Sequence, residues 1–211
     1  MIRILCYGDS NTWGYISGTD HLRYGENERW TRVLKNKLDE NYEVIEEGLN
    51  SRTLKSDDPR KGKEGRNGYH FLKPCMYTHD KFDCFVLMLG TNDTKTFFNH
   101  SGDDIFSMMK EYIEIITNYK SQIDGSSPKL IVCGIPPISD IANNNPNDNF
   151  FGAKVKAIRY KLLIKNYCQQ NNIPFIDNSD LETGIDGLHI TKESHTKLAE
   201  KIYNAIIKLN L

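Results

Sequence analysis

Apolar runs alternate with amphipathic stretches along the whole chain. Ile2 to Tyr7 is a short apolar run that stops at Gly8-Asp9-Ser10, the pattern of a buried strand ending in a turn. Glu28 to Leu38 carries Trp30, Val33, Leu34 and Leu38 at helical spacing, and Tyr42 to Ile45 predicts a second strand. Glu64 to Tyr77 carries a weaker helical signal. Phe82 to Leu89 is almost wholly apolar, as a strand covered on both faces would be. Ile105 to Tyr119 sets Ile105, Met108, Met109, Tyr112, Ile115, Ile116 and Tyr119 on one helical stripe. Lys129 to Cys133 predicts a strand ended by Pro136-Pro137, and Val155 to Cys168 a helix with Val155, Ile158, Leu162 and Tyr167 among its apolar positions. A short strand, Ile173 to Ile176, and a closing helix, Thr191 to Leu209, complete the pattern. Five strands separated by helices predict a three-layer α/β/α, flavodoxin-like architecture with a five-stranded parallel sheet. No repeat or linker divides the chain, so residues 1–211 are expected to form a single domain. The polar stretches Lys55 to Asn67 and Ser139 to Asn149 are expected to be long surface loops.

Composition narrows the classes of function. Lys and Arg number 27 and Asp and Glu 28, a net charge of −1. Such a chain exerts no general pull on phosphate, which argues against a nucleic-acid partner and a polybasic membrane binder. No apolar run approaches the roughly 18 residues of a membrane span. The five cysteines, Cys6, Cys75, Cys84, Cys133 and Cys168, include no C-x-x-C pair, so neither a disulfide framework nor a structural zinc site is expected. His21, His70, His79 and His100 show no ligand spacing, and no metal or cofactor is expected. The first strand-like run begins at Ile2, which points to a cytoplasmic protein without a signal peptide.

In open α/β sheets ligands bind at the carboxyl ends of the strands. There the sequence is unusually polar. Gly8-Asp9-Ser10-Asn11-Thr12 follows the first strand, Gly48-Leu49-Asn50-Ser51-Arg52-Thr53 the second, and Gly90-Thr91-Asn92-Asp93 the third. Asp186-Gly187-Leu188-His189 precedes the last helix. Each taken alone reads as a turn or helix cap. Together, on one sheet edge, they supply a hydroxyl, a carboxamide, an imidazole and a carboxylate.

These four blocks resemble, in order and over the whole chain, those of the SGNH (GDSL-like) hydrolases. The stretches ILCYGDSNTWGY, YEVIEEGLNSRT, DDP and LMLGTND are closest to the arylesterase/acyltransferase branch. The resemblance implies a cofactor-free serine esterase that hydrolyses or transfers short acyl groups of small esters. Ser10 would be the nucleophile, His189 its base, and Asp186 the group that orients the imidazole. A serine hydroxyl needs such a base to attack an acyl carbon. The implied oxyanion donors are the backbone N–H groups of Ser10 and Ser51 and the side-chain amide of Asn92. Ser51 departs from the family, which commonly has glycine there. Its N–H can still donate if the backbone tolerates a side chain. Trp13, Tyr15, Leu49 and Phe97 are candidate walls of the acyl pocket.

Asp9 and Asp93 suit backbone bonding in their turns, and Asn11, Thr12 and Thr91 suit capping or structural roles. His195, six residues after His189, is expected on the solvent side of the closing helix. The resemblance also implies a homo-oligomer. Alternative activities on the same triad are carbohydrate O-deacetylation and lysophospholipase or thioesterase action, because fold does not decide substrate. A non-catalytic flavodoxin-like binding module is the distant alternative. The first loop has neither G-x-G-x-x-G nor a P-loop to support it.

Overall fold

The computed structural model describes residues 1–211. Its elements are β1 (Ile2–Gly8), α1 (Ser10–Trp13), α2 (Trp30–Lys37), β2 (Tyr42–Gly48), α3 (Gly68–Thr78), β3 (Cys84–Met88), α4 (Gly102–Thr117), β4 (Lys129–Cys133), α5 (Asp140–Asn143), α6 (Ala153–Gln170), β5 (Phe175–Ile176) and α7 (Lys192–Lys208). All strand pairs are parallel, in the order β2-β1-β3-β4-β5. The order reverses at β1, so the crevice between the carboxyl ends of β1 and β3 is where ligands bind in such sheets.

Strand periodicity builds the two sides. Leu5 and Tyr7 of β1 and Phe85 and Leu87 of β3 face a core shared with α3, α4 and α6. Ile4, Cys6, Cys84, Val86 and Met88 point the other way, onto α2 and α7. This is the period-2 alternation of a strand buried on both faces. The helix α4 starts at a full capping box, with Ser101 and Asp104 bonding each other's backbone N–H.

Several sequence boundaries move for local reasons. The helix expected from Glu64 starts only at Gly68, where the Asn67 side chain accepts from the Tyr69 N–H. Gly62 and Gly65 before it have φ of 77° and 72°, which keeps the chain out of the right-handed helix. The second strand runs three residues further, to Gly48. On α6 the core face is Ala153, Ala157, Tyr160, Ile164 and Cys168, whereas Val155, Ile158 and Leu162 point outward. The helix is apolar on two sides, and the side that approaches the sheet sets Ala153 and Ala157 beside the larger Tyr160 and Ile164.

Gly48 sits where β2 meets α1. A Cβ there would lie 2.3 Å from the Trp13 backbone nitrogen, so a larger residue would push α1, and Ser10 with it, off the sheet.

Candidate active site

Ser10 opens α1 directly after β1. The helix is short, and the Asp9 side chain caps it by accepting from the Asn11 N–H at 3.0 Å. Asp186 and His189 lie in the loop before α7, 176 and 179 residues further along. The His189 Nε2 lies 2.8 Å from Ser10 Oγ, and its Nδ1 lies 2.6 Å from Asp186 Oδ2. The other carboxylate oxygen, Oδ1, accepts from the backbone N–H groups of Leu188 and His189, each at 3.0 Å. Burial pushes the Asp186 carboxyl up, but the bonds from His189 and these N–H groups outweigh it. They hold Asp186 well below the usual carboxylate range. The Tyr15 ring stacks on the His189 ring, centroids 4.3 Å apart.

Asn11 joins the two ends of the chain. Its Oδ1 accepts from the Ile190 N–H at 3.0 Å, its Nδ2 donates to the Leu188 carbonyl at 3.3 Å, and its own carbonyl accepts from the Trp30 indole at 3.1 Å. It therefore clamps the His189 loop onto the residue next to Ser10, which goes beyond the local capping expected of it.

Ser51 and Asn92 meet Ser10 at the same cleft. The Asn92 Nδ2 donates to the Arg52 carbonyl at 3.0 Å, which fixes the amide and leaves its second hydrogen unused. The backbone N–H groups of Ser10 and Ser51 have no acceptor within the chain. Ser51 takes φ 65°, the left-handed region that favours glycine. The departure from glycine thus keeps glycine's backbone shape and carries the strain of a side chain in it. Arg52, buried, donates to the carbonyls of Gly8 and Glu47 and lies over the Tyr7 ring, tying the ends of β1 and β2 together.

A family model described as GDSL-like Lipase/Acylhydrolase matches residues 4–202. The chain belongs to this family. Among solved structures, the esterase is similar to the M. smegmatis aryl esterase, with 31% identity over 99% of this chain and 100% of that one and a TM-score of 0.90. It is similar to Est24, a carbohydrate acetylesterase from Sinorhizobium meliloti, with 30% identity, 99% and 100% coverage and a TM-score of 0.90. A putative arylesterase from Agrobacterium tumefaciens str. C58 shares 26% identity, with 99% of each chain covered and a TM-score of 0.87. A comparison with curated proteins finds no match. The sheet and its two helical layers are those of the SGNH hydrolases.

The esterase's cleft has a volume of about 180 Å³, small beside the roughly 300–1,000 Å³ of pockets for drug-sized ligands. Of the four candidate wall residues only Tyr15 lines it. Trp13 turns away to pack beside Tyr15 and under the Arg23 guanidinium, Leu49 follows β2 outside the lining, and Phe97 packs on Phe98. The walls that sequence reasoning missed are mostly polar: His21, Asn50, Arg60, Lys63 and Lys95, with Phe150 and Leu188 as apolar exceptions. Arg60 and Lys63 belong to the polar stretch 55–67, which covers the carboxyl edge of the sheet. Its cluster of cations just after β2 was the available signal. A larger groove of about 510 Å³ beside α3 and α4 contains none of the motif residues.

His195 is a correction. It is fully buried under the site, not on the solvent side. The Trp30 N–H donates to its Nδ1 at 3.2 Å, and the Tyr24 ring meets its ring edge-on at 4.9 Å. Burial, with His189 nearby, lowers its pKa to about 3. Asp93 is buried beneath the floor, where both its oxygens lie 3.0 Å from the Leu54 N–H. Burial raises its pKa to about 7.

Away from the cleft, Glu47, Cys75 and His79 bring their side-chain ligand atoms within 4.8 Å of one another, although His79 has no ligand spacing in the sequence. Glu47 Oε1 and His79 Nε2 satisfy each other at 2.7 Å, and burial pushes the Cys75 thiol up to about 12. The set is thus a bonded pair beside a protonated thiol, not a ready ligand set.

Proposed function

We propose that the protein hydrolyses small acyl esters through an acyl-enzyme on Ser10. The observation that carries this reading is the continuous hydrogen-bonded line from Ser10 through His189 to Asp186, opening on the same cleft as Asn92. Ser10 Oγ bonds to the acyl carbon as its proton passes to His189 Nε2. Asp186 holds Nδ1 protonated and stabilises the imidazolium. The tetrahedral oxyanion takes hydrogen bonds from the Ser10 and Ser51 N–H groups and the second hydrogen of Asn92 Nδ2. When the intermediate collapses, the proton on Nε2 goes to the departing alkoxide. A water then attacks the acyl-serine and gives one proton to His189 Nε2; collapse passes that proton to Ser10 Oγ and releases the acid, which keeps the water's oxygen and other hydrogen. The polar lining favours water as acceptor over a second alcohol, and so hydrolysis over transfer.

Carbohydrate O-deacetylation is the second reading. Asn50, Arg60 and Lys63 in the cleft suit a polyol, and the similar Est24 is a carbohydrate acetylesterase. A serine-directed fluorophosphonate should label the wild type and fail to label Ser10→Ala. That variant should stay folded and lose p-nitrophenyl acetate hydrolysis by several orders of magnitude. Near-native turnover in it would remove Ser10 from the reaction. A panel of acetylated sugars set against aryl acetates separates the two readings.

A further inference from the structure

Residues 53 to 68 form a loop closed at its base. The Thr53 N–H donates to the Arg66 carbonyl at 2.9 Å, the Gly68 N–H to the Thr53 carbonyl at 3.0 Å, and Asn67 Nδ2 to the Lys55 carbonyl at 2.7 Å. The loop is thereby held over the sheet edge and brings Arg60 and Lys63 to the cleft. Lys95 reaches it from the turn after β3. Two of these cations, Arg60 and Lys95, meet one buried carboxylate. Arg60 Nε and Nη2 lie 2.8 and 2.5 Å from the Asp58 oxygens, and Lys95 Nζ lies 3.4 Å from Asp58 Oδ2.

This arrangement leaves donors over. The Lys95 side chain is 2% exposed, and its one hydrogen bond is the long one to Asp58. Its other flanks are the rings of Phe97 and Phe150. A buried ammonium has three donors, and leaving them without acceptors is costly. Burial lowers the Lys95 pKa to about 8, which leaves it mostly charged at neutral pH. Lys63 has no acidic partner in the chain. Across the cleft Asp186 is already bonded by His189 and two backbone N–H groups. The lining of the cleft holds Arg60, Lys63 and Lys95 and no Asp or Glu, while the carboxyls of Asp58, Asp93 and Asp186 lie behind it, in a chain whose net charge is −1. Low-dielectric walls focus such a field on what enters.

We propose that Arg60, Lys63 and Lys95 form an anion subsite, and that the preferred ester carries a carboxylate or similar negative group a few atoms from its scissile bond. The proposal rests on the reading of Ser10 as the nucleophile. The charge belongs to the acyl half or to the alcohol half, and matched substrates tell these apart.

Hydrolysis followed by pH-stat, with monoethyl glutarate against ethyl pentanoate, probes the acyl side. Hydrolysis of 3-acetoxybenzoate against phenyl acetate probes the alcohol side. The anionic member of one pair should have the higher kcat/KM by about tenfold, about 1.4 kcal/mol. That preference should shrink as salt rises from about 50 mM to about 500 mM. Lys63→Glu, which breaks no ion pair, should cancel or invert the ratio, and Lys63→Gln should fall between. A wild type that prefers the neutral ester in both pairs overturns the subsite. So does a preference that Lys63→Glu and salt leave unchanged. Failure to hydrolyse any of the four esters would instead bring down the nucleophile reading, and the subsite with it.

Discussion

His189 and His195 stand six residues apart, one just before α7 and one inside its first turns, and their surroundings differ in every respect. His189 has both ring nitrogens engaged, Nε2 by Ser10 and Nδ1 by Asp186, and it opens on the cleft. His195 has no exposed surface, accepts one bond from the Trp30 N–H, and has no partner on Nε2. A residue type does not make a base; the base is the imidazole with a carboxylate behind it and a hydroxyl in front. Buried without such partners, the same ring is a core side chain held neutral.

Removing each ring in turn should give the largest contrast. His189→Ala is expected to lose roughly 10⁴-fold or more in kcat, because nucleophile and base act as a unit. His195→Ala is expected to stay within a few-fold. Steady-state kinetics on a neutral aryl acetate measures both, and equal losses would erase the distinction.

Asp186→Asn tests what stands behind the base. It removes the charge and sets the wrong tautomer, so kcat should fall by roughly 10³–10⁴-fold with the fold intact by circular dichroism. A drop below tenfold would show that His189 needs no carboxylate. Asn92→Ala probes the opposite side of the same reaction. A lost oxyanion donor should lower kcat by about 10²–10³-fold with little change in KM. An effect confined to KM would move Asn92 to substrate binding.

The smallest effect lies with His195 and is one of stability. Its folded pKa is lowered to about 3, against about 6.5 for an unperturbed histidine. Between those values the unfolded chain takes a proton that the folded chain refuses. The stability from a neutral His195 is therefore complete above about pH 6.5 and is lost as pH falls, by up to ~1.4 kcal/mol per pH unit. Urea titrations at pH 7 and pH 5 should show a smaller acid loss in His195→Gln than in the wild type. An identical loss would mean that His195 is protonated in the fold.

What the sequence made legible follows from where chemistry meets regular structure. The run from Cys84 to Met88 is apolar throughout because both its faces are covered, and its identity as a central strand is written in that run. Ser10, Asn92, Asp186 and His189 could be picked out because each sits in a short polar block at a strand end or helix start. For Arg60 and Lys63 the sequence offered only a cluster of cations after the second strand, not their place in the cleft. A charged loop residue goes where the loop's closure sends it, and that closure depends on bonds from Thr53 to Arg66 and Gly68. For His195 the information was present. With Leu198, Ala199, Ile202 and Ile206 it shares the stripe that α7 buries, although a polar ring suggests the opposite face. The wall residues failed for a different reason. Trp13 and Phe97 are near the blocks in sequence, but the tight turn after Ser10 and the turn after Asn92 aim them past the cleft.

The clamp made by Asn11 has a consequence for how the enzyme comes into being. Ser10 and His189 are 179 residues apart, so the ribosome makes the serine well before the imidazole that faces it. Until Leu188 and Ile190 dock on the Asn11 amide, Ser10 is an ordinary alcohol at the end of a strand. The growing chain therefore carries Ser10 without its histidine across that stretch, and the line from Ser10 through His189 to Asp186 closes only when the segment bearing His189 docks.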